Sequence, residues 1–255
     1  MGSNLGSASL VENLPQHPGG LGLRHIPWVV TAPSSLFSRV EDTGAYGPAL
    51  VVLLLLMVLL GYAQVQTGLI DRVVDQQTEA QLAELEKAQL GVVDKVELRD
   101  AMDGVRKTGQ FMKMLSRIGA VVVSPVWTLT SFLLISSMLY AAVALTGRKP
   151  EWHTLMSICV YAGYLGLLAT ALRLVMMLVY RTTQVDTTLR MLTDPGKPSP
   201  WAGVDPFRMW FWVLVAMGLT ITRQLSRRAA ITTCLAMFLA ATAVQIGLEY
   251  LPAIG

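Results

Sequence analysis

Residues 43–70, TGAYGPALVVLLLLMVLLGYAQVQTGLI, contain no Asp, Glu, Lys or Arg. A bilayer core takes about 20 apolar residues to cross as a helix, and this run exceeds that length. Three further charge-free runs follow: Ile118–Gly147, Trp152–Leu172 and Ala229–Leu248. Over all 255 residues, 53% are hydrophobic and only 15% charged, against about 25% charged in an average soluble domain. An ordinary soluble fold, a disordered chain and a disulfide-stapled secreted domain are excluded. The sequence predicts an all-α, polytopic membrane protein.

Working outward, the predicted spans are 48–67, 118–146, 152–172, 207–222 and 229–248. The fourth is the shortest, because only 14 uncharged residues separate Arg208 from Arg223. Both arginines can snorkel to headgroups, and Trp201, Trp210 and Trp212 form an interfacial girdle. Residues 1–25, rich in Gly, Ser, Asn and Pro, read as a flexible tail. Pro33, Leu36, Phe37 and Val40 fit a short amphipathic helix along the membrane face. Residues 249–255 form a short C-terminal tail.

Between the first two spans, Asp71–Arg117 carries 9 acidic and 8 basic side chains, which places it outside the hydrocarbon. Asp71–Leu90 is rich in helix formers and free of Pro and Gly. Gly91 interrupts, and Val92–Lys113 resumes. We read 71–117 as an extramembrane helical hairpin continuous with the first and second spans, with Leu82, Leu85, Val93 and Val96 as candidate partner-docking residues.

Five spans put the termini on opposite sides. With the N-terminus cytoplasmic, the connectors Gly147–Glu151 and Thr222–Arg228 share that side, and they hold five positive charges in 12 residues. Short, positively charged loops stay in the cytoplasm. The expected topology is therefore N-in and C-out, in a bacterial inner membrane.

Chemistry within the spans is sparse. Intramembrane catalysis or ion coupling usually leaves ionisable residues inside spans; here Arg173, near the outer interface, is the one candidate, as an anion or headgroup contact. His17, His25 and His153 are scattered, and Cys159 and Cys234 read as small hydrophobes. No metal spacing, GxSxG, HExxH or phosphate-binding loop is present. No catalytic, cofactor or metal residue is assigned, and a net charge of +3 gives no footprint for nucleic acid. Hydroxyls at Ser124, Thr128, Ser131, Ser136 and Ser137 make a polar stripe suited to helix packing. Gly163 and Gly166, with Ala162 and Ala169, make a small-residue face.

The order of these pieces resembles bacterial Yip1-domain proteins. Ala32-Pro-Ser-Ser-Leu-Phe37 ahead of Tyr46-Gly-Pro-Ala49 is similar to that family's opening. Asp205-Pro-Phe-Arg-Met-Trp210, Val213-Leu-Val-Ala-Met-Gly218 and Leu225-Ser-Arg-Arg-Ala229 are similar to its later motifs, with Arg228 where the family usually has lysine. The resemblance implies a five-helix membrane domain over 26–248, N-terminus in and C-terminus out. Eukaryotic relatives bind small GTPases in vesicle traffic through a long hydrophilic N-terminal domain, which this sequence lacks. Some bacterial members accompany ABC-type efflux systems. The expected function is a non-enzymatic accessory or scaffold subunit, contacting membrane lipids and other membrane proteins, ABC transporter components or itself. The alternative is a stand-alone small-molecule or lipid transporter using the polar stripe and Arg173. The topology predicts that Gln89→Cys reacts with a membrane-impermeant maleimide applied outside intact spheroplasts; labelling only after lysis would reverse it.

Overall fold

A computed structural model of the protein describes residues 21–40, 42, 44–89, 95–180 and 205–250. Among the described residues the regular structure is all helical. Two short helices, α1 (Trp28–Thr31) and α2 (Pro33–Phe37), precede α3 (Gly47–Gln66) and α4 (Leu69–Gln89). Then come α5 (Lys95–Ile118), a π-helical turn (Gly119–Val123) and α6 (Ser124–Leu145). The remaining helices are α7 (Trp152–Tyr180), α8 (Pro206–Ile221) and α9 (Arg227–Tyr250).

Four helical stretches are long and apolar enough to cross a membrane: Gly44–Gln66, Leu98–Leu145, Trp152–Tyr180 and Arg227–Gly247. The helix α8 is apolar but has 16 residues, about 24 Å at 1.5 Å per residue. It is nonetheless central. It packs between α7 and α9, with α2 against it, and Trp212, Leu214, Val215, Gly218 and Leu219 are buried. Its start follows from sequence: the Asp205 carboxylate accepts the Phe207 N–H at 2.9 Å, and Pro206, which has no N–H to leave orphaned, opens the first turn.

The core is organised around the first half of α7. Every residue from Thr154 to Leu165 is buried, since α3, α6 and α8 all pack on this helix. Two glycines permit the closest approaches. A Cβ at Gly163 would run into the Phe132 ring of α6, and one at Gly218 would lie 2.8 Å from Ile158 Cγ2. Gly166 faces open space, so the small-residue face packs at Ala162 and Gly163 and not at Gly166. Beyond Leu165 the helix continues through Arg173 to Tyr180, the longer of the two extents the sequence allows for this span. One arginine interrupts hydropathy without costing helix propensity.

The charged segment is continuous with the second span, as expected, but not with the first, where Gly68 at φ +66° separates α3 from α4. No break separates the charged segment from the apolar one: Leu98–Leu145 is a continuous 48-residue helix, about 70 Å long and more than twice a bilayer core. The π turn sits just before Pro125. That proline offers no N–H to the Val121 carbonyl, and widening the backbone there accommodates the missing bond. Opposite the turn, α3 comes so close that a Cβ on Gly61 would collide with the Ala120 carbonyl oxygen.

The N-terminal segment is built into the bundle. Helices α1 and α2 lie against α7 and α8, and Val29, Leu36 and Phe37 are buried in protein instead of being turned toward lipid. Leu21 and His25, within the 1–25 segment, are buried as well. His25 Nδ1 accepts the Gly22 N–H at 3.0 Å, and its ring meets Trp28 edge-on at 4.9 Å.

Gly61→Ala is expected to destabilise the fold by about 1–3 kcal/mol through overpacking against backbone, measured by unfolding in mixed micelles. Gly166→Ala, which meets nothing, should stay within about 0.5 kcal/mol of the parent.

Candidate functional site

Two regions collect the polar groups that the apolar helices exclude. The first lies where the start of α7 meets the end of α8. Asp42 reaches the α7 N-terminus from 111 residues away and accepts the His153 N–H at 3.1 Å and the Thr154 N–H at 3.3 Å. These are among the amides a helix leaves unpaired. Glu151 Oε2 accepts the Thr154 hydroxyl at 2.9 Å and the Gln224 amide at 2.8 Å. The Glu151 N–H donates back to Gln224 Oε1 at 3.3 Å, and Gln224 is buried. Arg148 donates to the Arg223 carbonyl at 2.6 Å. Arg223 ends α8 in the left-handed region, at φ +59°. The two connectors read as sharing one side are therefore in direct contact.

The second region is the paired helices α4 and α5. Arg117 grips Asp71 with two hydrogen bonds, Nε to Oδ1 at 2.9 Å and Nη2 to Oδ2 at 2.5 Å. One turn further out, Lys113 Nζ pairs with Asp75 at 2.6 Å. Beyond that, Gly109 is buried, and a Cβ there would lie 2.6 Å from Thr78 Oγ1. Pairs 71–117, 75–113 and 78–109 run in opposite directions along the two helices, so α4 and α5 are antiparallel. The sequence carried a signal for this register: Asp71 and Asp75 stand one turn apart, as do Lys113 and Arg117.

Over its last two turns the face of α5 turned away from Lys113 is apolar. Phe111, Leu115 and Ile118 recur there at helical spacing, and Val122 continues the stripe in the π turn. Phe111 is 61% exposed, Met114 60% and Leu115 51%. The sequence reading, drawn to the leucines of α4, passed over this stripe.

Of the residues singled out from sequence, Leu82 and Leu85 are half-buried on α4. Val93 lies outside the described residues, and so does the side chain of Val96. Arg173 is half-buried on α7, 21 residues beyond Trp152 and about 31 Å along the helix. The hydroxyl stripe is engaged locally: Thr128 donates to the Ser124 carbonyl at 2.9 Å, Ser137 to the Leu133 carbonyl at 2.7 Å, and Ser136 faces Met156 sulfur at 3.5 Å. Cys159 and Cys234 are buried free thiols. Among the described residues no group of three or more His, Cys, Asp or Glu side chains is placed to hold a metal.

A family model described as the Yip1 domain matches residues 29–248, most of the chain. The chain is a member of the Yip1-domain family. No curated protein and no solved structure matches it. Within this Yip1 domain, Asp205 is the N-cap of α8, and Gly218 lets α8 pack tightly against Ile158 of α7. Both are packing and capping devices of the fold.

The arm-base ion pair has a pH signature. Hydrogen bonds from Arg117 hold the Asp71 carboxyl below the usual range. A depressed carboxyl is ionised in the folded state, so its stabilisation is complete above the unfolded value of about 4. It is lost as pH falls through the lower folded value. Limited proteolysis of α4 and α5 should be constant from pH 7 to 5 and accelerate below about pH 4, and Asp71→Asn should already be fast at pH 7.

Proposed function

We propose that this Yip1-domain membrane protein is a non-enzymatic accessory subunit that works by protein–protein association. The observation that carries this reading is the α4–α5 pair. It is a two-helix arm, fastened at its base by two ion pairs, that exposes Phe111, Met114 and Leu115 beside those charges. Contiguous exposed apolar surface rimmed by polar groups marks interaction sites, and pairing the helices lowers the ordering cost of binding.

In this reading the protein crosses a bacterial inner membrane five times, with α8 as the short fourth span. Its N-terminus is cytoplasmic, its C-terminus is outside, and the arm is an extracytoplasmic helical hairpin. The cationic connectors that meet through Arg148 and Arg223 support that orientation. Leu82, Leu85, Val93 and Val96 are the further candidate docking residues of this segment. The partner class is an export ABC transporter, on the strength of the family resemblance. The stripe hydroxyls, engaged with carbonyls and sulfur, give the transporter alternative no particular support.

The test is affinity purification of the full chain from its native membrane in mild detergent. The parent should co-elute with transporter subunits carrying vanadate-sensitive ATPase activity. The double variant Phe111→Ser, Leu115→Ser should lose them by about tenfold or more, the scale of hot-spot truncations, while remaining monodisperse. A parent that elutes alone while transporter subunits are abundant in the same extract overturns the reading.

A further inference from the structure

A cavity of about 550 Å³ runs between α8 and α9. One wall is α8 from Met209 to Ile221; the other is α9 from Arg227 to Phe238. The lining is apolar apart from Thr220 and Arg227. Thr220 spends its hydroxyl on the Ala216 carbonyl at 2.8 Å, which leaves Arg227 as the one charged group of the wall. Its guanidinium is exposed and makes no ion pair or hydrogen bond among the described residues. The groove is therefore an apolar slot with a cation at its mouth, at the end of the bundle that also gathers Arg148, Arg223 and Arg228.

Charge and length point to the occupant. From Met209 to Ile221 the slot is about 18 Å long, close to half the thickness of a hydrocarbon core. A phospholipid carries its anion at the end of its acyl chains, which matches an apolar slot with one cation at its mouth. An acyl chain suits the length, and its phosphate then falls at the level of Arg227. We propose that this groove binds one anionic phospholipid, with an acyl chain along Val213, Ala216 and Met217 and the phosphate against Arg227. Lipid bound here widens the contact between α8 and α9 and gives the short α8 a fixed apolar partner on its open side. This is independent of the association reading, which concerns α4 and α5.

The test is native mass spectrometry of the full chain in micelles doped with phosphatidylglycerol or phosphatidylcholine of matched chains. The parent should retain one phosphatidylglycerol in preference. A juxtamembrane basic residue is worth about 1 kcal/mol toward anionic lipid, or about fivefold. Arg227→Gln should lower the preference by about that factor, and Arg228→Gln should leave it nearly unchanged. Ala216→Trp, which fills the slot, should reduce retention of both lipids. Equal retention of the two lipids by the parent overturns the proposal, as does an undiminished preference in Arg227→Gln. A lipid-free dimer that Ala216→Trp dissociates would give the slot to a second copy, and would overturn it too. The Arg227→Gln arm decides the matter by itself if Ala216→Trp does not fold.

Discussion

Hydrocarbon does not accept an unpaired charge or an unpaired backbone group, and the arrangement of this molecule follows from that constraint. Among the described residues, the apolar parts of the four long helical stretches and the short α8 carry few charges. Ionisable side chains gather at the two ends of the bundle, where each has water or a partner. At the connector end, Asp42 covers the orphan amides of α7, while Glu151 and Gln224 lock that helix to the end of α8. Where the chain leaves the bundle again, Asp71 and Asp75 meet Arg117 and Lys113. Each pair removes a net charge at the point where the helices pass from apolar surroundings to water. Exposed pairs of this kind contribute little free energy individually. Their value here lies in fixing which faces of α4 and α5 meet, leaving the apolar stripe of α5 outward.

Most of the helical architecture was legible in the sequence because hydropathy responds directly to that constraint. The charge-free runs coincide with α3, α6, the first part of α7, and α9. The N-cap at Asp205 and the start of α2 at Pro33 were readable from local chemistry. The rest depended on tertiary geometry. Nothing in a hydropathy profile says that Leu36 and Phe37 will be buried against α8, because an amphipathic segment has the same composition on lipid as on protein. The continuation of the charged helix through Ile118 into the second span is expected from the sequence, but the π turn that marks it is not. The π turn there needed Pro125 and the close approach of Gly61 to be seen together. Asp42 caps a helix 111 residues away, a distance at which no sequence signal operates.

The candidate site was legible in part. The 71–117 segment stood out by its charge, and Leu82 and Leu85 do lie on α4. An exposed apolar stripe also lies on α5, however, where Phe111, Met114 and Leu115 are interleaved with Lys113 and Arg117 and read as an ordinary charged helix. Alternation of this kind becomes informative only once the partner helix is known, because α4 consumes the cations and leaves the apolar residues outside. Arg173, the sequence's one intramembrane ionisable candidate, lies about 31 Å along α7 from Trp152.

The account stands on α4 and α5 forming one ordered antiparallel arm. The most direct measurement places spin labels at Gln81→Cys and Lys107→Cys, which the 71–117 and 75–113 pairings set opposite each other, and records their separation in a native-lipid nanodisc. Packed helices have axes 8–10 Å apart, so with two label linkers the account predicts one narrow distribution below about 25 Å. A broad distribution, or one centred well beyond that distance, would contradict it.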